Sequence, residues 1–249
     1  MIRSVAIFVV FLLFTLSSPL FAQVNTENFR KSDLAPGFHN ALNLNFGATT
    51  GNTRVVTTRL QFRSDYVEQT YRGFFVGSYS QGSTGGTDFQ NESFIHVRVV
   101  PDLLENLKGE IFYQQEQNPF RNLTSRNLVG AGLRAPITRP TLKLYVGIGL
   151  MWENERVAGE GLNQLLRSTN YVSLHRSIDD RISFVTTEYF QVHLGNYGDF
   201  RLLSENALTF RITDAMQWSL DLNARYDHQP PPGISPYDLS VTNGLSIHF

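Results

Sequence analysis

The chain has 249 residues, no Cys and a formal net charge of −1. Near-neutral charge argues against a nucleic-acid partner, and the lack of Cys excludes disulfides even in an exported protein. Hydrophobic residues make up 41% and aromatics 12% of the chain, with 19 Phe and 10 Tyr against 2 Trp, a mildly polar balance that suits strands with one apolar and one polar face.

At the start, Arg3 is followed by the apolar run 5–16 (VAIFVVFLLFTL) and the small, turn-prone segment 17–22 (SSPLFA). This pattern predicts a secretory signal peptide over 1–22, with cleavage after Ala22. A retained anchor is the alternative, but about a dozen apolar residues fall short of the ~20 that span a bilayer as a helix. Residues 23–37 are then expected to be a short periplasmic segment. No later stretch reaches the continuous apolar length of a membrane helix.

Turn signals divide the remainder into about twelve alternating segments, each close to the ~10 residues of a tilted spanning strand. They fall near 38–49, 54–66, 70–81, 89–100, 107–117 and 123–135, then 141–154, 166–177, 181–193, 200–212, 215–228 and 237–249. Successive side chains on a strand point to opposite faces, and several segments sort cleanly. Phe38, Leu42, Leu44 and Phe46 oppose His39, Asn43, Asn45 and Gly47; Leu142, Leu144, Val146, Ile148, Leu150 and Trp152 oppose Lys143, Tyr145, Gly147, Gly149 and Glu153. Likewise Trp218, Leu220, Leu222, Ala224 and Tyr226 oppose Ser219, Asp221, Asn223, Arg225 and Asp227. Two places are less regular. Phe74 and Phe75 take opposite faces, and Glu188 shares a face with Ile182, Phe184 and Phe190, which calls for either a bulge or a position near an interface.

Connections alternate too. The short ones (67–70, 101–106, 135–140, 177–180 and 212–215) interleave with longer, Gly- and Pro-rich ones (82–88, 116–122, 154–164, 194–200 and 228–236), although 50–53 (TGNT) is tight. Short periplasmic turns and longer outer loops are the pattern of a membrane barrel. The final segment, 237–249 (YDLSVTNGLSIHF), alternates to a terminal aromatic, Phe249. It resembles the closing strand of a bacterial outer-membrane barrel, in which a terminal Phe is a common assembly signal. The reading is an all-β, antiparallel, up-and-down transmembrane β-barrel of about 12 strands over 38–249, with the last strand pairing with the first so that no edge is left in hydrocarbon.

From Phe38 onward the chain resembles the YdiY-like family of salt-induced outer-membrane proteins. The resemblance rests on TTGNTR (49–54), SRNLVGAGLR (125–134), RYDHQPPPG (225–233) and the terminal GLSIHF. It implies a closed barrel in the bacterial outer membrane and no reaction, since the family has no catalytic set to carry over. The partners it implies are outer-membrane lipids and, through the C-terminal strand, the barrel-assembly machinery.

Candidate lumen-lining charges are Arg59, Arg63, Lys108, Glu110, Arg126, Arg134, Lys143, Glu153, Asp221 and Arg225. Mixed signs in a narrow lumen favour pairing, because unpaired ions away from bulk water are costly, and they argue against a strongly ion-selective ring. A barrel of this size could also carry a lipid hydrolase, which needs a Ser activated by an oriented His. The His residues (His39, His96, His175, His193, His228 and His248) stand in no recognisable His–Ser cluster, and their spacing provides no metal-ligand set. No cofactor is expected. The chain is read as a non-enzymatic, structural envelope protein, with a narrow solute channel as the alternative.

Overall fold

The computed structural model describes residues 34–49, 55–139, 142–213, 216–231 and 233–247. The expected signal peptide, most of the short segment after it, and the assembly signal Phe249 lie outside the described residues.

Period-two alternation becomes strand along most of the described residues. The strands are β1 (Gly37–Thr49), β2 (Val55–Val67), β3 (Tyr71–Thr84), β4 (Thr87–Leu104), β5 (Leu107–Asn118) and β6 (Leu123–Arg139). They continue with β7 (Leu142–Val157), β8 (Leu162–Ser177), β9 (Ile182–His193), β10 (Phe200–Arg211), β11 (Met216–Asp227) and β12 (Tyr237–Ile247). A 3-10 turn, Pro119–Arg121, joins β5 to β6. The strands form one 12-stranded sheet in chain order, and every neighbouring pair is antiparallel.

Several strands run further than the turn-like residues suggest. β4 continues to Leu104, β6 to Arg139 and β7 to Val157, while β8 begins at Leu162. Ladder bonds to a neighbour already in register outweigh local turn preference, so even Pro136 pairs with Tyr145 close to the end of its strand. The connection expected over 82–88 shrinks to Gly85–Gly86 for the same reason. Both glycines have positive φ (58° and 87°), the conformation a two-residue hairpin turn requires at its centre.

The sheet is curled and inverted relative to a soluble domain. Outward positions are large and apolar: Leu42, Ile111, Val129, Ile148, Leu150, Trp152, Leu222 and Leu239 are all exposed. Inward positions are polar and buried, among them His96, Arg134, Glu153, Arg167 and Thr187. Curvature brings β8 to β5, where Tyr171 Oη donates to Glu110 at 2.8 Å. It also brings β12 to the β5–β6 turn, where Arg121 Nη2 lies 3.3 Å from Asp238. Among the described residues the ladders run unbroken from β1 to β12, and the expected β12–β1 seam is not among them. The fold is that of an outer-membrane β-barrel.

Register is continuous at both irregular places. Phe74 faces inward and is buried, while Phe75 faces outward against Phe62, with ring centroids 6.0 Å apart. Around Glu188 neither ladder of β9 shifts, so the carboxylate does point outward. It accepts hydrogen bonds from Ser204 Oγ at 2.8 Å and Thr186 Oγ1 at 3.1 Å. Two residues along stands Phe190, the first ring of an outer aromatic cluster with Phe200 (6.0 Å) and, beyond it, Tyr226 (5.8 Å). Aromatic belts mark interfacial depth, which favours the interface explanation over a bulge.

Candidate functional site

The interior is the feature that a function must use. On β6 the inward residues are Arg126, Leu128, Gly130, Gly132 and Arg134, the even positions of the SRNLVGAGLR segment. On β7 they are Gly147, Gly149, Met151, Glu153 and Glu155. Glycines in the middle leave room for rings from neighbouring strands: a Cβ on Gly130 would collide with Phe112, and one on Gly147 with Tyr171. Large charged residues then occupy both ends of each strand.

Towards the long-loop end these charges form one buried network. Glu153 receives Arg167 Nε at 2.8 Å and Arg201 Nη1 at 2.8 Å, with Arg126 Nε at 3.4 Å. Glu155 pairs with Arg126 through Nη2 and accepts from its Nε at 2.6 Å, and Arg201 Nη2 lies 3.3 Å away. Asp199 takes Arg167 Nη2 at 2.7 Å, and Asp227 takes Arg201 Nε at 2.8 Å. Glu116 faces Arg126 at 3.4 Å and Arg121 at 3.6 Å. The groups come from β5, β6, β7, β8, β10 and β11, so the network crosses the section of the barrel. Unpaired charges there would be costly, and pairing with further hydrogen bonds offsets the loss of water.

Nearer the short-turn end, aromatic rings join the charges. Arg134 Nη1 donates to Tyr171 Oη at 3.1 Å and lies 3.6 Å from Glu110, with its guanidinium carbon 3.8 Å from the centre of the Tyr145 ring. The His96 imidazole stacks on Phe74 and Phe112, at 5.5 and 5.9 Å between centroids. Its Nδ1 meets Gln114 Oε1 at 3.1 Å, and Arg98 Nε donates to its Nε2 at 3.3 Å. That arrangement fits a neutral ring carrying its proton on Nδ1. Arg63 pairs with Asp65 through both nitrogens of its fork. Between the two layers remains a cavity of about 40 Å³, lined by residues from β4 to β10 including Arg98, Gln114, Met151, Tyr189 and Glu205.

Of the sequence candidates, Arg63, Glu110, Arg126, Arg134, Glu153 and Arg225 are buried inside the barrel. Lys108 sits at the β4–β5 turn, 2.5 Å from Asp102. Arg59, Lys143 and Asp221 share the inward parity but are not fully buried. The sequence reading did not single out Glu116, Glu155, Arg167, Asp199 and Arg201 as interior charges, and it placed Asp227 on the polar face of its strand without naming it among the candidates. Glu155 and Asp199 fell in segments read as loops and Glu116 where a strand and a loop overlapped, whereas Arg167 and Arg201 stood inside predicted strands. The available signal was parity: Glu155 stands two places beyond Glu153, and Arg201, Leu203 and Glu205 alternate as buried residues.

One sequence expectation needs correction. Ser173 and His175 do form a Ser–His pair, with Ser173 Oγ 3.1 Å from His175 Nε2. Residues two apart on a strand share a face, so this spacing brings the two side chains together. Ser173 is fully buried, however, and its Oγ also bonds Thr187 Oγ1 at 2.8 Å. A substrate carbonyl has no approach to that oxygen. Among the described residues no group of His, Cys, Asp and Glu could hold a metal ion.

The fold is shared with a solved porin. The chain is similar to a NanC porin, with a TM-score of 0.52 at 9% identity, over 84% of this chain and 99% of that one. It also aligns with the translocator domain of the autotransporter NalP from Neisseria meningitidis, with a TM-score of 0.48 at 13% identity, over 88% and 90% of the two chains. A KdgM porin aligns with a TM-score of 0.43 at 6% identity, over 85% and 99%. Comparison with curated proteins finds no match in sequence. The apolar exterior and charged interior, together with this fold, place the protein in the bacterial outer membrane. A family profile described as "Protein of unknown function, DUF481" matches residues 42–249, and the chain belongs to that family.

Proposed function

We propose that the protein is a structural, non-enzymatic barrel of the outer membrane whose interior is closed by its own side chains. The observation that carries this reading is the network centred on Glu153, Arg126, Arg167 and Arg201, which draws groups from strands around the barrel. A conducting pore needs a continuous wet path, and the cavity between this layer and the aromatic one measures about 40 Å³. The sequence segments TTGNTR and SRNLVGAGLR support kinship with the YdiY-like salt-induced proteins, and hence a part in envelope integrity under osmotic stress. Its partners on this reading are the surrounding lipids and, during biogenesis, the assembly machinery.

A narrow channel is the second reading. It is favoured by Arg59, Lys143 and Asp221, which face inward yet retain solvent exposure, and by the porin whose fold the chain shares. Planar-bilayer recording of the refolded protein separates the two. The structural reading expects no unitary conductance above the bare membrane, and expects openings once Arg201→Ala and Glu153→Ala are combined. Steady unitary conductance in the wild type would establish the channel instead.

A further inference from the structure

At the long-loop end a small cavity of about 20 Å³ lies between the charged network and the proline-rich β11–β12 connection. Arg121, Arg126 and Arg225 line it together with the carboxylates Asp227 and Asp238, and Pro231 and Ile234 form an apolar cover. Arg225 is the unusual member. Its side chain is only 3% exposed, and its nearest carboxylate oxygen, on Asp227, is 3.7 Å from Nη2, beyond hydrogen-bonding distance. Its Nε and Nη1 have no hydrogen-bond partner among the described residues, and neither has Nε of Arg121.

The carboxylates nearby are already engaged. Asp227 accepts Arg201 Nε at 2.8 Å, Asp238 faces Arg121 at 3.3 Å, and Glu116 is shared by Arg121 and Arg126. The charges acting on Arg225 include the guanidiniums of Arg121, Arg126 and Arg201, with Glu116 opposing them. A buried cation with idle donors, beside three other guanidiniums and carboxylates already held by them, is the costly arrangement that protein interiors avoid. An acceptor carrying negative charge would satisfy the donors and offset the repulsion together.

We propose that this cavity is a binding site for a small monovalent inorganic anion of halide size, held by Arg225 Nε and Nη1 and by Arg121 Nε beneath the β11–β12 connection. A volume near 20 Å³ admits one water-sized occupant, which excludes larger organic acids. The apolar cover keeps the ion out of bulk water, where competing hydration would weaken the contacts. The site does not depend on whether the lumen conducts.

The test is a chloride titration of the full-length refolded barrel in detergent, followed by ³⁵Cl line broadening, with gluconate holding ionic strength constant. The wild type should show saturable excess broadening. Arg225→Gln should weaken the apparent affinity roughly tenfold or more, because charge-assisted hydrogen bonds are lost. Arg121→Gln should weaken it in the same direction and serves if Arg225→Gln does not refold. Arg156→Gln, on the exposed face at the end of β7, should leave the titration unchanged. Bromide soaked into crystals should give an anomalous peak beside the Arg225 guanidinium. No saturable broadening in the wild type, or equal broadening in the wild type and both cavity variants, would overturn the proposal.

Discussion

At the scale of single residues, Glu153 has the most to lose. It is fully buried and lies within reach of Arg126, Arg167 and Arg201. Glu153→Gln keeps the shape but leaves three guanidiniums short of their common counter-charge. Breaking a buried pair by removing one partner typically costs about 3–5 kcal/mol, and urea unfolding of the variant in detergent should show a loss in that range. A change below about 1 kcal/mol, the scale of an exposed pair, would mean the network is more hydrated than its burial indicates. The exterior has the opposite chemistry. Leu222 is exposed on the outward face of β11, opposite Val241 of β12. Leu222→Arg should cost about 2–4 kcal/mol if the position lies at the membrane midplane, whereas Asn223→Arg, of inward parity, should not incur that lipid penalty. Equilibrium folding into lipid vesicles measures both, and equal costs would count against the assignment of faces.

At the scale of elements, β6 and β7 show how a barrel wall is built without a hydrophobic core. Their inward glycines are flanked by charged residues, and rings from the strands on either side cover the bare backbone. Tyr171 of β8 lies over Gly147, and its hydroxyl joins Arg134 to Glu110. Gly147→Ala would force that ring aside, loosening both hydrogen bonds and overfilling the space, at roughly 1–3 kcal/mol. The diagnostic comparison is Gly147→Ala in a Tyr171→Ala background, where no ring remains to displace and most of the cost should vanish. Equal costs in the two backgrounds would show that the glycine serves only its own backbone. The strand pattern itself was readable: every predicted segment corresponds to an observed strand, with ends displaced by a few residues. Those displacements fall where Pro, Gly or Asn looked like a turn but the neighbouring strand kept pairing, as at Pro136 with Tyr145.

At the scale of the whole molecule, the stabilising environment is reversed on both surfaces, so lipid rather than water must meet the exterior. Exposed Leu42, Phe46, Ile111, Ile148 and Leu239 would be an aggregation liability in solution and are an anchor in a bilayer. Assembly should therefore depend on delivery to the membrane. Deleting Phe249, which lies outside the described residues, removes about 2 kcal/mol of burial at most, too little to unfold the barrel. A larger effect is expected in cells than in detergent: refolding yield in vitro close to wild type, and reduced outer-membrane levels by fractionation and immunoblot. Unchanged cellular levels would remove Phe249 from the assembly signal.

The sequence alone determined the class, a count of about twelve strands and which face is polar in those that alternate cleanly, because period-two alternation is a local property and a one-residue slip would turn every side chain the wrong way. It singled out Arg126, Arg134, Glu153 and Arg225 by the same parity. It could not tell which charges meet, since Glu153 and Arg201, or Arg121 and Asp238, are far apart along the chain and become neighbours only when the sheet curls. Nor could it show that Asp227 would be taken by Arg201, leaving Arg225 with idle donors beside a small cavity. Barrel width and stagger fix those distances, and they belong to the curled shape of all the strands together rather than to any one of them.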